Sequence, residues 1–251
     1  MSDLFDLSGK VALVTGGSRG LGKEMIKAFA AKGADVIIAS RKLDNCEALA
    51  AEVEAETGRQ AMPYAVNVSH WDQMDELAEA AYERFGKVDI LVNNAGMSPL
   101  YDKVTDVTEA LYDKVLGVNL KGPFRLSALI GTRMAEGDGG SIINVSSIAS
   151  HYPTGDVIAY AAAKAGLNAM TKGYAHAFGP QVRVNCIVCG SFRTDISKAW
   201  DMPKAEARAK QTYALQRIGE PDEIAEAVAW LASERATYTA GANIRVAGGR
   251  P

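Results

Sequence analysis

KVALVTGGSRGLGKEMIKAFA, Lys10 to Ala30, changes its hydrophobic period partway along. Lys10 to Thr15 is a short apolar, β-rich run, whereas Leu21, Met25, Ile26, Phe29 and Ala30 recur at helical spacing. Between them lies TGGSRGLG, with Gly16, Gly20 and Gly22 in the order G-x-x-x-G-x-G. The stretch therefore reads strand, glycine loop, helix. Glycine is needed where a backbone turns sharply and where a pyrophosphate must approach the amides at a helix N-terminus. The spacing differs from the commoner G-x-G-x-x-G fingerprint, so the reading rests on the buried strand before the loop and the amphipathic helix after it.

Outward from this stretch the alternation continues. Strands are expected at 34–40, 61–68, 88–92, 141–145, 182–188 and 242–246, with helical patterns at 43–57, 71–85, 108–134, 156–178 and 218–232. Only 190–212 lacks a clean period, with Trp200, Met202 and Pro203 among charges, and it is expected to be a mobile substrate lid. This βαβαβ order implies an α/β fold: a doubly wound Rossmann-type domain over 1–251, its mostly parallel seven-stranded sheet covered by helices on both faces. Ligands of such sheets bind outside the carboxyl ends of the strands, where the glycine loop, Asn93, Ser147 and the residues after Val188 all fall.

The 251 residues carry 23% charged side chains and a net charge of −3, without long like-charge blocks. That argues against a nucleic-acid footprint or a basic membrane face and points to small-molecule partners and self-association. Neither a signal core in Met1–Lys10 nor an apolar run of about 18 residues is evident, so a cytoplasmic protein is expected. Three cysteines do not make a disulfide framework. Cys186 and Cys189 form C-x-x-C, but on a strand they face opposite sides and are read as buried thiols. The histidines at 70, 151 and 176 show no ligand spacing, and no metal is expected.

The second strand ends where an acid would hold the ribose 2′-hydroxyl of NAD, yet the sequence there is Ser40-Arg41-Lys42. With Arg19 in the glycine loop, two guanidinium groups can converge on a 2′-phosphate, which favours NADP(H). The competing reading makes Arg41 and Lys42 a solvated helix start, with Asp44 as the acid.

Tyr160-Ala161-Ala162-Ala163-Lys164 places a phenol and an ammonium on one helix face, with Ser147 thirteen residues before the tyrosine. A lysine charge ~4 Å from a phenol, at an effective dielectric of ~20, is worth roughly 4 kcal/mol, or up to about 3 pKa units. Such a phenol can protonate a carbonyl oxygen while hydride arrives at carbon.

Together TGGSRGLG, Asn93-Asn94-Ala95-Gly96, Asn119 within VNLKGPF, Ser147 within INVSSIAS and Tyr160-x-x-x-Lys164 resemble the short-chain dehydrogenase/reductase family over essentially the whole chain. The resemblance implies Tyr160 as proton donor or base, Lys164 lowering its pKa and holding the nicotinamide ribose, Ser147 on the substrate oxygen, and Asn119 bending its helix around a relay water. It implies a cofactor site from Gly16, Ser18, Arg19, Gly20, Leu21, Gly22, Ser40, Arg41, Asn67, Val68, Asn94, Ala95, Gly96, Gly190 and Thr194, shared with Tyr160 and Lys164. Three positions depart from the family pattern: Cys189 before Gly190 where proline is usual, Asn67 for aspartate, and Ala247 for aspartate. An amide oxygen at Asn67 is expected still to accept from adenine.

By the same resemblance the substrate meets Met97, Ser98, His151, Tyr152, Cys189, Phe192, Trp200 and Met202. Most are apolar, which favours a hydrophobic ketone or secondary alcohol. A sugar dehydrogenase or 3-oxoacyl reductase is the alternative within the family, and a non-catalytic NADP(H)-sensing module the alternative outside it. Relatives associate through two long helices, here 108–134 and 156–178, so a homotetramer is expected.

Overall fold

The computed structural model describes residues 5–194, 197 and 201–250. Its seven strands form one sheet in the order β3-β2-β1-β4-β5-β6-β7, every neighbouring pair parallel. They are β1 Val11–Thr15, β2 Asp35–Ser40, β3 Ala61–Ala65, β4 Ile90–Asn93, β5 Gly140–Ser147, β6 Val182–Cys189 and β7 Asn243–Val246. Pro63 is tolerated in β3 because that strand is an edge. The helices are α1 Gly20–Ala31, α2 Leu43–Thr57, α3 Trp71–Phe85, α4 Glu109–Leu116, α5 Gly122–Glu136, α6 Ile158–Phe178, α7 Met202–Thr212 and α8 Glu223–Ala232.

Strand alternation divides the core between the two faces of the sheet. Ala12 and Val14 pack with Met25, Ile26 and Phe29 of α1 and with Val228 of α8. Leu13 and Leu91 face the other way, onto Met74 and Leu77 of α3 and Leu126 and Ile130 of α5. Where the order reverses, between β1 and β4, the two strand ends are tied by side chains. The Thr15 hydroxyl accepts from the backbone N–H groups of Asn94 and Ala95, each at 3.1 Å, and Asn94 Nδ2 donates to Thr15 O at 2.9 Å and Gly16 O at 3.1 Å. This fixes the crevice where a doubly wound sheet takes its ligand.

A buried polar chain knits β4 and β5 to the helices over them. Asn93 Nδ2 donates to Ser127 Oγ and to Asn144 Oδ1, and Asn144 Nδ2 donates to Thr171 Oγ1, each at 2.9 Å. All four residues are buried, so each amide is satisfied within the protein.

Two expectations about helices are corrected. The pattern over 108–134 is not one helix: α4 passes through a π-helical turn, Gly117–Lys121, into α5. Asn119 Nδ2 donates at 2.9 Å to Val115 O, four residues back, taking the carbonyl that an α-helical N–H would use. The 190–212 stretch is not without structure, because Asp201 caps α7 through Lys204 N and Pro203 sits in its first turn. Its helical period is faint because Ala209 alone is buried. Trp200 lies outside the described residues. No described helix is long and apolar enough to cross a membrane.

Candidate active site

The carboxyl ends of the strands open into a cleft of about 890 Å³. The glycine loop forms one wall. Gly16 has φ +64°, and a Cβ on Gly22 would stand 2.3 Å from Gly16 O and 2.6 Å from Asn94 Nδ2. Only glycine fits there, and the tight turn it permits presents the first amides of α1 to the cleft. That helix has no side-chain cap at Arg19 and no acid in its first turn. Its positive end is thus available to an anion.

Gly16, Ser18, Arg19, Gly20, Leu21, Ser40, Arg41, Asn67, Val68, Asn94, Ala95, Gly96, Tyr160, Lys164, Gly190 and Thr194 all line the cleft. Gly22 does not; it acts from beneath, through the turn. Arg41, Lys42 and Asn45 line the wall beyond β2, whereas Asp44, one turn face away, does not. Asn67 departs from expectation, since its Oδ1 already accepts from Ser69 N at 3.3 Å and Ser69 Oγ at 3.0 Å. An Asx turn occupies the oxygen that was to serve adenine.

Ser147, Tyr160 and Lys164 meet at the end of β5 and the first turns of α6. The Tyr160 hydroxyl lies near enough to Ser147 for that side chain to favour the phenolate, while Ser147 Oγ accepts from Ala149 N at 3.2 Å. Lys164 is buried, and its Nζ donates to Val145 O at 2.7 Å and lies 5.8 Å from the Tyr160 ring centroid. The expectation that Lys164 lowers the phenol's pKa is corrected here. Dense surroundings push Tyr160 up to about 12, against the Ser147 side chain that pulls it down. Burial likewise pulls Lys164 down to about 8. The ammonium is turned toward a backbone carbonyl rather than the phenol, so desolvation wins.

Asn119 is fully buried and does not line the cleft. Its Nδ2 also donates to Met97 O at 2.9 Å, and its Oδ1 accepts from Met97 N at 3.3 Å. A Cβ on Gly96 would lie 3.1 Å from Asn119 Oδ1 and 3.7 Å from Lys164 Nζ, so one glycine separates the two polar groups.

On the substrate side Met97, Ser98, Tyr152, Cys189 and Phe192 line the cleft. His151 does not: it is exposed, with Nε2 3.4 Å from Asn168 Nδ2. Met202 packs instead beneath α7 with Ala209, Tyr213 and Ile218. Cys186 and Cys189 fall into different apolar clusters, on opposite faces of β6, and burial pushes them up to about 11 and about 12. Both thiols stay protonated, and neither is in a disulfide. Among the described residues no group of three or more His, Cys, Asp or Glu side chains is placed to hold a metal. Leu100, Lys114, Arg208 and Arg250, which no sequence motif singles out, also line the cleft. Only the last two belong to segments that the chain brings back from far along the sequence.

Comparison with known proteins agrees with this geometry. Residues 16–250 match the family model described as enoyl-(acyl carrier protein) reductase. Dehydrogenase/reductase SDR family member 4 of Bos taurus is 37% identical over 245 residues, covering 97% of this chain and 88% of the relative. The 3-oxoacyl-[acyl-carrier-protein] reductase FabG of Thermotoga maritima is 36% identical over 245 residues, covering 97% and 98%. L-Sorbose reductase of Gluconobacter frateurii, solved with NADPH and L-sorbose, superposes with a TM-score of 0.92 at 28% identity, covering 99% of this chain and 98% of that one. With its strand order, glycine loop and Ser147–Tyr160–Lys164 cluster, the chain belongs to the short-chain dehydrogenase/reductase family of oxidoreductases.

Proposed function

We propose that the protein is an NADP(H)-dependent oxidoreductase that moves hydride between the nicotinamide and a ketone or secondary alcohol with an apolar body. The observation that carries the reading is the meeting of Ser147, Tyr160 and Lys164 in the cleft that the glycine loop also walls. The loop residues fit a dinucleotide, because the uncapped N-terminus of α1 faces the space where a pyrophosphate belongs. Arg41 and Lys42 line the cleft and Asp44 does not, which supports a 2′-phosphate over a bare ribose hydroxyl. NADPH in the structure of L-sorbose reductase supports the same choice.

When bound, the nicotinamide supplies or takes the hydride. In reduction, Ser147 and Tyr160 hold the carbonyl oxygen from two sides and polarise it. A phenol near 12 remains protonated at neutral pH and gives up its proton only as charge develops on that oxygen. Lys164, near 8, titrates close enough to neutrality to pass a proton toward Tyr160. Asn119, facing Lys164 across Gly96, holds the far end of that route. Oxidation runs the same steps backward. Met97, Leu100, Tyr152, Cys189 and Phe192 offer an apolar body its surface.

An aromatic ladder on α3, α5 and α6, exposed at Trp71 and Phe124 and half-buried at Tyr174 and Phe178, supports association: Trp71 and Phe124 have ring centroids 6.2 Å apart, Phe124 and Tyr174 5.8 Å, Tyr174 and Phe178 5.1 Å. We expect a tetramer mass by light scattering, and a monomer would oppose this part. Parallel titrations with NADPH and NADH test the cofactor. Tighter NADPH binding supports the reading, and equal or tighter NADH binding overturns it.

A further inference from the structure

The chain carries a net charge of −3, yet its cleft is strongly basic. Arg19, Arg41, Lys42, Lys114, Lys164, Arg208 and Arg250 line it, against Asp156 as the one acid among the described lining residues. The carboxylate of Asp156 is itself engaged at 2.5 Å by the Thr154 hydroxyl. A dinucleotide bearing a 2′-phosphate accounts for Arg19, Arg41 and Lys42. It does not account for Arg208 and Arg250.

Those two arginines stand at the other end. Arg250 Nη1 lies 3.5 Å from Ser191 Oγ, its guanidinium is 5.7 Å from the Tyr213 ring centroid, and Ser191 Oγ is 2.9 Å from Tyr213 OH. Ser191 follows β6, four strand spacings from β2, or about 19 Å at ~4.8 Å each. Arg250 is therefore out of reach of the 2′-phosphate wall. It is close to the reacting centre, however: Cys189 is paired in register with Ser147, and Ser191 lies two residues further, about 7 Å of extended chain.

The position of Arg250 is built rather than incidental. Gly248 and Gly249, at φ +60° and +72°, turn the tail back, and their carbonyls accept from Leu215 N at 3.0 Å and Ala214 N at 3.4 Å. Arg250 is half-buried, and burial together with the charge of Arg208 pulls its pKa down. Among the described residues no carboxylate ion-pairs with Arg208 or Arg250, whereas nearby Arg193 pairs with Glu206 and Glu220, and Arg217 with Glu223. Arg208 is exposed and Arg250 half-buried, so an anion entering the cleft would meet one solvated and one partly desolvated guanidinium that no described carboxylate neutralises.

We propose that Arg208 and Arg250 form an anion subsite for the substrate, so that the enzyme takes amphiphilic oxo compounds whose apolar chain ends in a carboxylate or phosphate some 7 Å or more from the carbonyl. This rests on the hydride-transfer reading above and refines its substrate class. Planar guanidinium donors suit either oxyanion.

The test uses 6-oxoheptanoate and its homologues longer by one to three methylenes, their methyl esters, and a ketone phosphomonoester of similar length, with levulinate and its ester as the pair too short to reach the subsite and so expected to react alike. With NADPH, kcat/KM should favour an anion over its neutral ester by about 10- to 100-fold. Arg250→Gln and Arg208→Gln should each raise KM for the anion, spare the ester, and leave NADPH affinity unchanged. Better turnover of the carboxylates or of the phosphomonoester identifies which oxyanion is meant. Equal rates for acids and esters overturn the subsite, as does loss of NADPH binding in Arg250→Gln, which would assign that residue to the cofactor. Calorimetric binding of the oxo acids to the NADP+ complex separates the two claims. Arg250-dependent binding without turnover keeps the subsite and sinks the hydride-transfer reading; absence of binding by every anion sinks the subsite.

Discussion

Replacing Lys164 by Met should make the cofactor-free protein more stable near neutrality, although it disables the site. Burial lowers the ammonium's pKa from an ordinary 10.5 to about 8. The unfolded chain therefore binds more protons than the folded one between those values, so the lysine's contribution to stability rises with pH across that window. Below about pH 8 the full penalty applies, and 2.5 units at ~1.36 kcal/mol each is about 3 kcal/mol. Methionine keeps the length and apolar stem but loses the bond to Val145 O, worth about 1 kcal/mol. The variant should thus gain about 2 kcal/mol at pH 7, a Tm rise of roughly 4–8 °C for a chain of this size. Near pH 10.5 the penalty has almost vanished, and the variant should be level with the wild type or slightly less stable. Urea unfolding of both proteins across this range, without cofactor, measures the difference directly. The buried cysteines titrate in both proteins and largely cancel. A wild type that is more stable at pH 7, or a difference independent of pH, would refute the desolvation argument.

Four further outcomes are expected. Tyr160→Phe should lower turnover by roughly 10²–10⁴-fold while NADPH affinity stays within a few-fold, as read by fluorescence titration. Arg41→Ala should weaken NADPH binding about tenfold or more and leave NADH nearly unchanged; equal losses would mean Arg41 does not see a 2′-phosphate. Asn144→Ala removes the centre of the Ser127–Asn93–Asn144–Thr171 chain, taking one of the two acceptors of Asn93 Nδ2 and the donor to Thr171 Oγ1 while leaving their bonds to Ser127 Oγ and Leu167 O, which should cost about 1–3 kcal/mol in urea unfolding. Gly22→Ala puts a methyl 2.3 Å from Gly16 O, so NADPH binding should collapse before the fold does; retained affinity would show that the loop yields.

What could be read from the chain alone was whatever depends on local period and spacing. The switch from strand to helix across Lys10–Ala30 and the four-residue step from Tyr160 to Lys164 survive intact because neighbours in sequence decide them. Asn119 was legible, through the resemblance, as a site residue that bends its helix, but the π-helical form of the bend was not, since that depends on which carbonyl its amide captures. The α7 helix was hidden because one buried alanine gives almost no period, though Asp201 and Pro203 carried a start signal. Arg208 and Arg250 were illegible for a different reason. Arg250 reaches the cleft because two left-handed glycines fold the tail against residues 214 and 215, and Arg208 because α7 returns over the cleft, and no local pattern encodes that meeting. The sign of the Tyr160 shift was also out of reach, because spacing gives a Coulomb attraction but not the burial that exceeds it.

The most direct test of the central claim uses NADPH deuterated at the transferring C4 position, a ketone substrate, and mass analysis of the product alcohol. Deuterium at the carbinol carbon, made by the wild type and reduced at least a hundredfold in Tyr160→Phe, is the predicted result. NADPH bound without label transfer to any ketone, or a Tyr160→Phe protein that transfers label at the wild-type rate, would contradict the account.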